Sequence, residues 1–412
     1  MRRACVLLVL LGAARGVAED PPRDVFVLAR VRAHMSHLLQ RLPNYTCLQT
    51  IERTRRTPSG KVELIDMVRL EVALVDGNEL FAWPGSKKFQ DTKIIDMVKG
   101  GAIGNGNFAL HAKSVFQSSS PRFTYVGERI RDDGQRTLRW NFVVPQSRSG
   151  YGLRAGGVEA IVGYHGTIWV DATSLDAVRL EVYADDIPPQ IRIHAASDAV
   201  DYVRVKLGEE SFLLPSQSEL SLTGVDRVES RNRTTFSGCR QYAGESTIRF
   251  DDEEAGTRSK EEERTLEAPA GLLLDVELQT PVTDNASAVG DPITAILKRS
   301  VNVGPGLVAP KGAFLHGRIT HLRQQQSGNT YWVIGMTFFE LEWTNTRAQL
   351  RAGLEATPSL SLLANAYPAY RSVLRRAMLD TDMFLAPGPR LSLRKGFPMH
   401  WRTKPFEQED KQ

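Results

Sequence analysis

Leu28, Val31, Met35, Leu38 and Leu42 recur at alternating three- and four-residue steps, which places them on one face of a helix predicted over residues 24–42. Arg30, His34, His37 and Arg41 fall on the opposite face. Pro43 ends the helix, because it has no amide hydrogen to donate and its ring clashes with the preceding turn. Beyond Pro43 the period drops to two. Val62, Leu64, Val68, Leu70, Val72 and Leu74 alternate with Glu63, Ile65, Met67, Arg69, Glu71 and Ala73, so residues 62–74 read as a strand with one buried face. Asp66 is the one break in that apolar row. Further strands are predicted at 123–131, 137–144, 166–171, 177–183, 199–207, 211–222 and 230–236, separated by short turns such as Asp132-Asp133-Gly134 and Leu207-Gly208-Glu209. So many consecutive hairpins imply an antiparallel sheet, with the helix covering one face. The one interruption, residues 91–117, holds Gly100, Gly101, Gly104 and Gly106 and then a short helix around 108–116.

Residues 251–266 carry a charge run, Asp251-Asp252-Glu253-Glu254 and then Lys260-Glu261-Glu262-Glu263-Arg264, and read as a linker. Beyond it a turn repeats: Ala268-Pro269-Ala270-Gly271 is echoed by Ala309-Pro310-Lys311-Gly312 and, in degenerate form, by Lys395-Gly396-Phe397. Each is predicted to feed a strand, as in a small barrel of similar hairpins over residues 267–412. Residues 357–388 read as an insertion in that unit, with a helix near 370–379.

Composition changes the picture in two places. Arg2 and Arg3, an apolar stretch from Ala4 to Ala14, and Gly16-Val17-Ala18 together have the form of a secretory signal peptide over residues 1–18. The stretch is too short to span a bilayer, and no later apolar run reaches spanning length, so an exported chain with no transmembrane segment is expected. Export in turn bears on the cysteines. Cys5 leaves with the signal, and in an oxidising compartment the remaining pair, Cys47 and Cys239, is most simply a disulfide; two buried thiols are the alternative. The formal net charge of +4 across 412 residues is too mild to point to nucleic acid.

Catalytic signatures are missing from the sequence. It has no GxSxG, HExxH or Walker loop and no paired zinc cysteines. Eight histidines are scattered, His34 and His37 lack a third metal ligand, and Asp185-Asp186 and Asp380-Thr381-Asp382 read as surface turns. No cofactor, metal or catalytic residue is therefore predicted. What remains is a set of large side chains on predicted strands or their ends: Met67, Phe81, Trp83, Trp140, Tyr164 and Trp169. They either fill a core or line an apolar cavity large enough for an acyl chain.

The stretch Tyr164-His165-Gly166-Thr167-Ile168-Trp169-Val170-Asp171-Ala172-Thr173-Ser174-Leu175-Asp176-Ala177-Val178-Arg179-Leu180 resembles the hairpin of periplasmic lipoprotein carriers and related envelope stress sensors. With the preceding helix and Pro43-Asn44-Tyr45-Thr46-Cys47, the likeness covers roughly residues 24–250. It implies an unclosed antiparallel half-barrel that wraps a helix and shelters lipid. Pro269-Ala270-Gly271, Leu274, Leu278, Gly290, Pro310-Lys311-Gly312 and Gly317 resemble the periplasmic β-barrel domain of type IV secretion channel subunits, over about 266–345. The expectation is a mostly β (α+β) protein of the bacterial periplasm or exterior. It is non-enzymatic, binding an apolar ligand, a lipid or a lipoprotein through the half-barrel and another envelope protein through the barrel. A structural assembly subunit without ligand and an exported hydrolase are the alternatives; the hydrolase requires histidine and carboxylate side chains clustered in one cleft.

Overall fold

The computed structural model describes residues 23–86, 89, 94–98, 102–103, 110–131, 134–155, 158–242, 264–327, 329–356 and 382–406. The expected signal peptide, most of the charge run and the helix expected near 370–379 lie outside them. In chain order the first unit contains α1 (Arg23–Gln40), β1 (Tyr45–Arg56), β2 (Val62–Val75), β3 (Asn78–Ala82), α2 (Ile94–Met97), α3 (Leu110–Phe116), β4 (Arg122–Ile130), β5 (Arg136–Val144), β6 (Tyr151–Ala155), β7 (Val158–Asp171), β8 (Ala177–Asp185), β9 (Ile193–Leu207), β10 (Glu210–Gly224) and β11 (Glu229–Gln241). The strands form one 11-stranded antiparallel sheet in the order β3-β2-β1-β11-β10-β9-β8-β7-β5-β4, with β6 pairing on β7. It curls into an open half-barrel, as the hairpin pattern and the resemblance led one to expect.

Nearly every neighbour in that order is a hairpin partner. The exceptions are β5 against β7, which bracket β6 in sequence, and β1 against β11, which joins the two ends of the first unit and carries the disulfide between Cys47 and Cys239, 192 residues apart in sequence with Cα atoms 4.1 Å apart. The register slips between Thr46 and Leu48, so Cys47 faces a bulge at Gly238-Cys239 that brings the two sulfurs together. Pairing strands so distant in sequence carries a large loop-closure cost in the unfolded chain, and the crosslink lowers it.

The second consequence of the order is that β3 and β4, the sheet's two edges, are consecutive in sequence. The segment between them must cross the open side of the half-barrel, and α2 and α3 lie on it. Alongside them α1 buries Val31, Met35 and Leu39 against Trp140, Phe142, Ile168, Leu180 and Val200 of the concave face. At roughly 25 cal/mol per Å2 of apolar surface, a stripe of three such side chains anchors the helix by several kcal/mol.

The second unit adds β12 (Arg264–Glu267), β13 (Leu273–Leu278), β14 (Val282–Thr283), β15 (Pro292–Leu297), β16 (Val301–Gly304), β17 (Leu307–Ala309), β18 (Phe314–Ser327), β19 (Asn329–Trp343), β20 (Thr346–Gln349), β21 (Arg351–Ala356), β22 (Met383–Pro387), β23 (Ser392–Leu393) and β24 (Pro398–Lys404). Its main sheet runs β12-β20-β19-β18-β15-β13-β24-β21, with β22 on β19. The end of the charge run is thus a strand, and so is part of the expected insertion. The repeated turns are real: Gly271, Gly312 and Gly396 all have φ near 90°, and Ala313 N donates to Pro310 O at 3.1 Å as Phe397 N does to Arg394 O.

The two sheets meet along one strand. β3 covers only residues 71–75 of β2, leaving the rest of that edge free. Val289 fills part of it: Arg69 N donates to Val289 O and Val289 N to Met67 O, both at 2.8 Å. Gly290 N and Ile319 O continue the contact into β18, and the Arg69 guanidinium holds both oxygens of Asp291 at 2.6 Å. Val68 and Leu70 then belong to the same apolar core as Ile319, Phe338 and Trp401.

Candidate functional site

A pocket of about 420 Å3 lies where the crossing segment covers the concave face. Ile94 and Ile95 of α2, Ile103, and His111 and Ser114 of α3 form one wall. Tyr151 and Leu153 of β6, Tyr164 of β7, Val182 of β8, Asp198 of β9 and Leu220 of β10 form the other. Val182, Asp198 and Ile94 are buried, whereas Ile95, Arg154 and Glu159 are exposed at the rim. Period-two alternation explains the sheet wall. Asp198, Val182 and Leu220 are in register across β9, β8 and β10, so all three point the same way. The 3.6-residue period of α3 explains the other, since His111 and Ser114 stand three apart on one face.

The polar groups are organised. His111 Nε2 lies 3.1 Å from Asp198 Oδ2, Tyr151 packs edge-on against the His111 ring at 5.8 Å, and Tyr164 packs edge-on against Tyr151. Burial pushes the His111 pKa down, but the hydrogen bond and charge of Asp198, with the charge of Glu79, outweigh it, so the net direction is up. Burial raises the Tyr151 phenol, and the charge of Asp198 adds to it. Tyr164 is also raised, by burial, against an opposing interaction with the Ser114 side chain. The Ser114 hydroxyl itself donates to the main-chain oxygen of His111 at 2.8 Å. Asp198 Oδ1 and the Tyr202 hydroxyl are buried with no hydrogen-bond partner among the described residues.

The six side chains singled out in the sequence do not converge. Tyr164 lines the pocket. Trp140 is fully buried in packed core beneath α1, and Phe81 is buried in the core shared by the two sheets. Trp83 sits at the junction, with the Arg318 guanidinium 5.5 Å from its ring centroid. Met67 and Trp169 alternate with buried neighbours and so lie on the opposite face of the sheet, Trp169 between Arg139 and Arg179 in register. Sequence reasoning missed His111 and Asp198, one a scattered histidine and the other an unremarked strand carboxylate. The available signal was the interruption of the strand pattern at 91–117, from which Ile94, Ile95, Ile103, His111 and Ser114 line the pocket.

Two other polar clusters bear on chemistry. His316, Glu340 and Glu342 place three ligand atoms within 4.8 Å of one another, with Arg347 3.9 Å from both carboxylates and offsetting part of their charge. His34, expected on a solvated helix face, instead docks on the buried Asp176 at 2.8 Å, where Arg204 also binds through two hydrogen bonds of 2.7 Å.

No protein-family model matches the sequence, and no curated protein is similar to it. Among solved structures, the chain is similar to a DUF1329 family protein from Desulfovibrio piger, with a TM-score of 0.31 and 12% identity over 53% of this chain and 94% of that one. It is also similar to a LolA superfamily protein from Nitrosomonas europaea, with a TM-score of 0.27 and 8% identity over 52% of this chain and 94% of that one.

Proposed function

We propose that this is an exported, non-enzymatic envelope protein that holds an apolar ligand, or the lipid moiety of a partner, in its half-barrel and docks to another envelope component through its second sheet. The observation that carries the reading is the 420 Å3 pocket between the concave face and α2 and α3, walled by isoleucine, leucine, valine and tyrosine and, in nearly equal measure, by polar groups that include His111, Ser114, Arg154, Glu159 and Asp198. Each methylene buried there contributes about 0.8 kcal/mol, which is enough for useful affinity without any catalytic group. The disulfide, the form of residues 1–18, and the lack of any described helix long and apolar enough to cross a membrane fit an exported chain. Trp140 and its neighbours are filled by α1, so the ligand space is this pocket and not the whole half-barrel. Native mass spectrometry of protein purified from the envelope fraction without detergent checks the proposal: a co-purifying lipid mass is expected, and a clean apo species under those conditions would sink it.

One observation favours a hydrolase as second reading, since His111 and Asp198 share the pocket with the Ser114 hydroxyl. The geometry weighs against it. Ser114 donates to a backbone carbonyl and not to the imidazole, and the raised His111 pKa favours the protonated ring, the wrong form for a general base.

A further inference from the structure

We infer that His316, Glu340 and Glu342 bind a first-row divalent metal ion, zinc foremost, on the outer face of the second sheet and apart from the pocket. The ladder builds the site. Leu315, Leu341 and Ala348 point into the core. The residues that alternate with them therefore project from the opposite face: His316 on β18, Glu340 and Glu342 on β19, and Arg347 on β20. Glu340 stands directly across from His316 in the register, and Glu342 follows two residues on. One donor atom from each lies within 4.8 Å of the other two. Zinc takes nitrogen and oxygen donors at about 2.0–2.2 Å, which sets neighbouring donors about 3.4 Å apart. Small side-chain rotations close the triangle to that size.

Glu340 is the informative member. Its side chain is only 18% exposed, yet its ion-pair partner Arg347 is 3.9 Å away, beyond hydrogen-bond reach, and is equally far from Glu342. Glu342 by contrast meets His316 Nε2 at 2.8 Å. A carboxylate partly withdrawn from water with no donor in reach is an unmet acceptor. Arg347 offsets one of the two negative charges and bonds neither oxygen. A dication between the two carboxylates and His316 Nε2 satisfies all three groups at once. One imidazole with two carboxylates suits zinc and its neighbours, whereas magnesium and calcium take oxygen donors. Three protein donors also leave a fourth position for water or for a group of another molecule. No spacing motif marks the site, because His316 and Glu342 are 26 residues apart on different strands.

Calorimetric titration of zinc chloride into the tag-free chain, stripped beforehand with EDTA and dialysed, tests the site. A single equivalent of zinc is expected to bind. His316→Ala and Glu340→Gln are each expected to weaken it by about tenfold or more, since even groups that only support a ligand are worth that much. Arg347→Gln keeps the three donors and removes the opposing charge, so it is expected to tighten zinc by about tenfold. No uptake by the wild type, or uptake that both ligand variants retain at full strength, would overturn the inference. Arg347→Gln decides the matter if the ligand variants fail to fold, and unchanged or weaker binding there also overturns it. Zinc uptake and lipid co-purification are separate readouts, so either reading can fail while the other stands.

Discussion

Asp66 interrupts the apolar row of β2 because of what stands opposite it. In the β1–β2 register Asp66 faces Arg53, and the guanidinium grips both carboxylate oxygens at 2.6 and 2.5 Å in a nearly water-free site. His321 of β18 faces the pair from the second sheet, and its pKa falls, chiefly through burial. Two ions taken out of water lose hydration worth about as much as their attraction returns, so the pair as a whole adds little stability, while removing one partner exposes the full cost. Asp66→Ala is expected to destabilise the protein by about 3–5 kcal/mol, and Arg53→Met with Asp66→Leu to fall within about 1 kcal/mol of the wild type. Urea midpoints of the three proteins check this; a mild Asp66→Ala would contradict it. The same pair explains why β1 is hard to see in the sequence. Its buried face reads Tyr45, Cys47, Gln49, Ile51, Arg53, a run too polar to register as a core strand.

At the scale of elements, α1 is held by its apolar stripe and by one polar latch. Asp176, at the end of the β7–β8 turn, accepts from His34 on the helix and from Arg204 on β9. Burial raises its carboxyl pKa, but the hydrogen bonds and charges of Arg204 and His34 outweigh this and hold it below the usual value of 3.8. A carboxylate depressed in the folded state contributes stability that is fully present above its unfolded pKa and is lost as pH falls through the lower, folded value. Stability is therefore expected to fall in the acid range below pH about 4, and Asp176→Asn to flatten that part of the profile. Thermal melts of both proteins at a series of acid pH values check the slope, and parallel profiles would dismiss the latch. The sequence placed the helix and put Val31 and Met35 on its buried face, but the helix ends at Gln40, short of Pro43, and Leu39 completes the buried stripe. It put His34 on the wet side, because periodicity assigns a face but does not know that a strand turn will rise beside it.

For the whole molecule the decisive joint is Gly290. Its φ is 100°, and a Cβ there would sit 2.3 Å from Arg69 O and 2.7 Å from the Trp83 ring. Only glycine lets the Val289–Asp291 segment approach the free edge of β2 closely enough to bond it and to carry the ladder on to β18. Gly290→Val is expected to separate the two sheets. Calorimetry would then show two transitions where the wild type shows one. A single transition at the wild-type temperature would show that the joint does not couple the units. This joint is also why Phe81 and Val68 share a core with the second sheet, which a reading of residues 24–250 and 267–412 as separate blocks did not anticipate.

Local pattern was enough for the mostly β class, the antiparallel course of the first unit, the repeated glycine turns of the second and the pairing of Cys47 with Cys239, because each depends on residue spacing, on backbone sterics or on there being only two cysteines outside residues 1–18. The pocket was not written in any such pattern. His111 and Asp198 are 87 residues apart, and they meet because the sheet order makes β3 and β4 its two edges and forces the intervening chain across the concave face. That order is fixed by long-range pairing of β1 with β11, whose free energy comes from contacts no window of sequence contains.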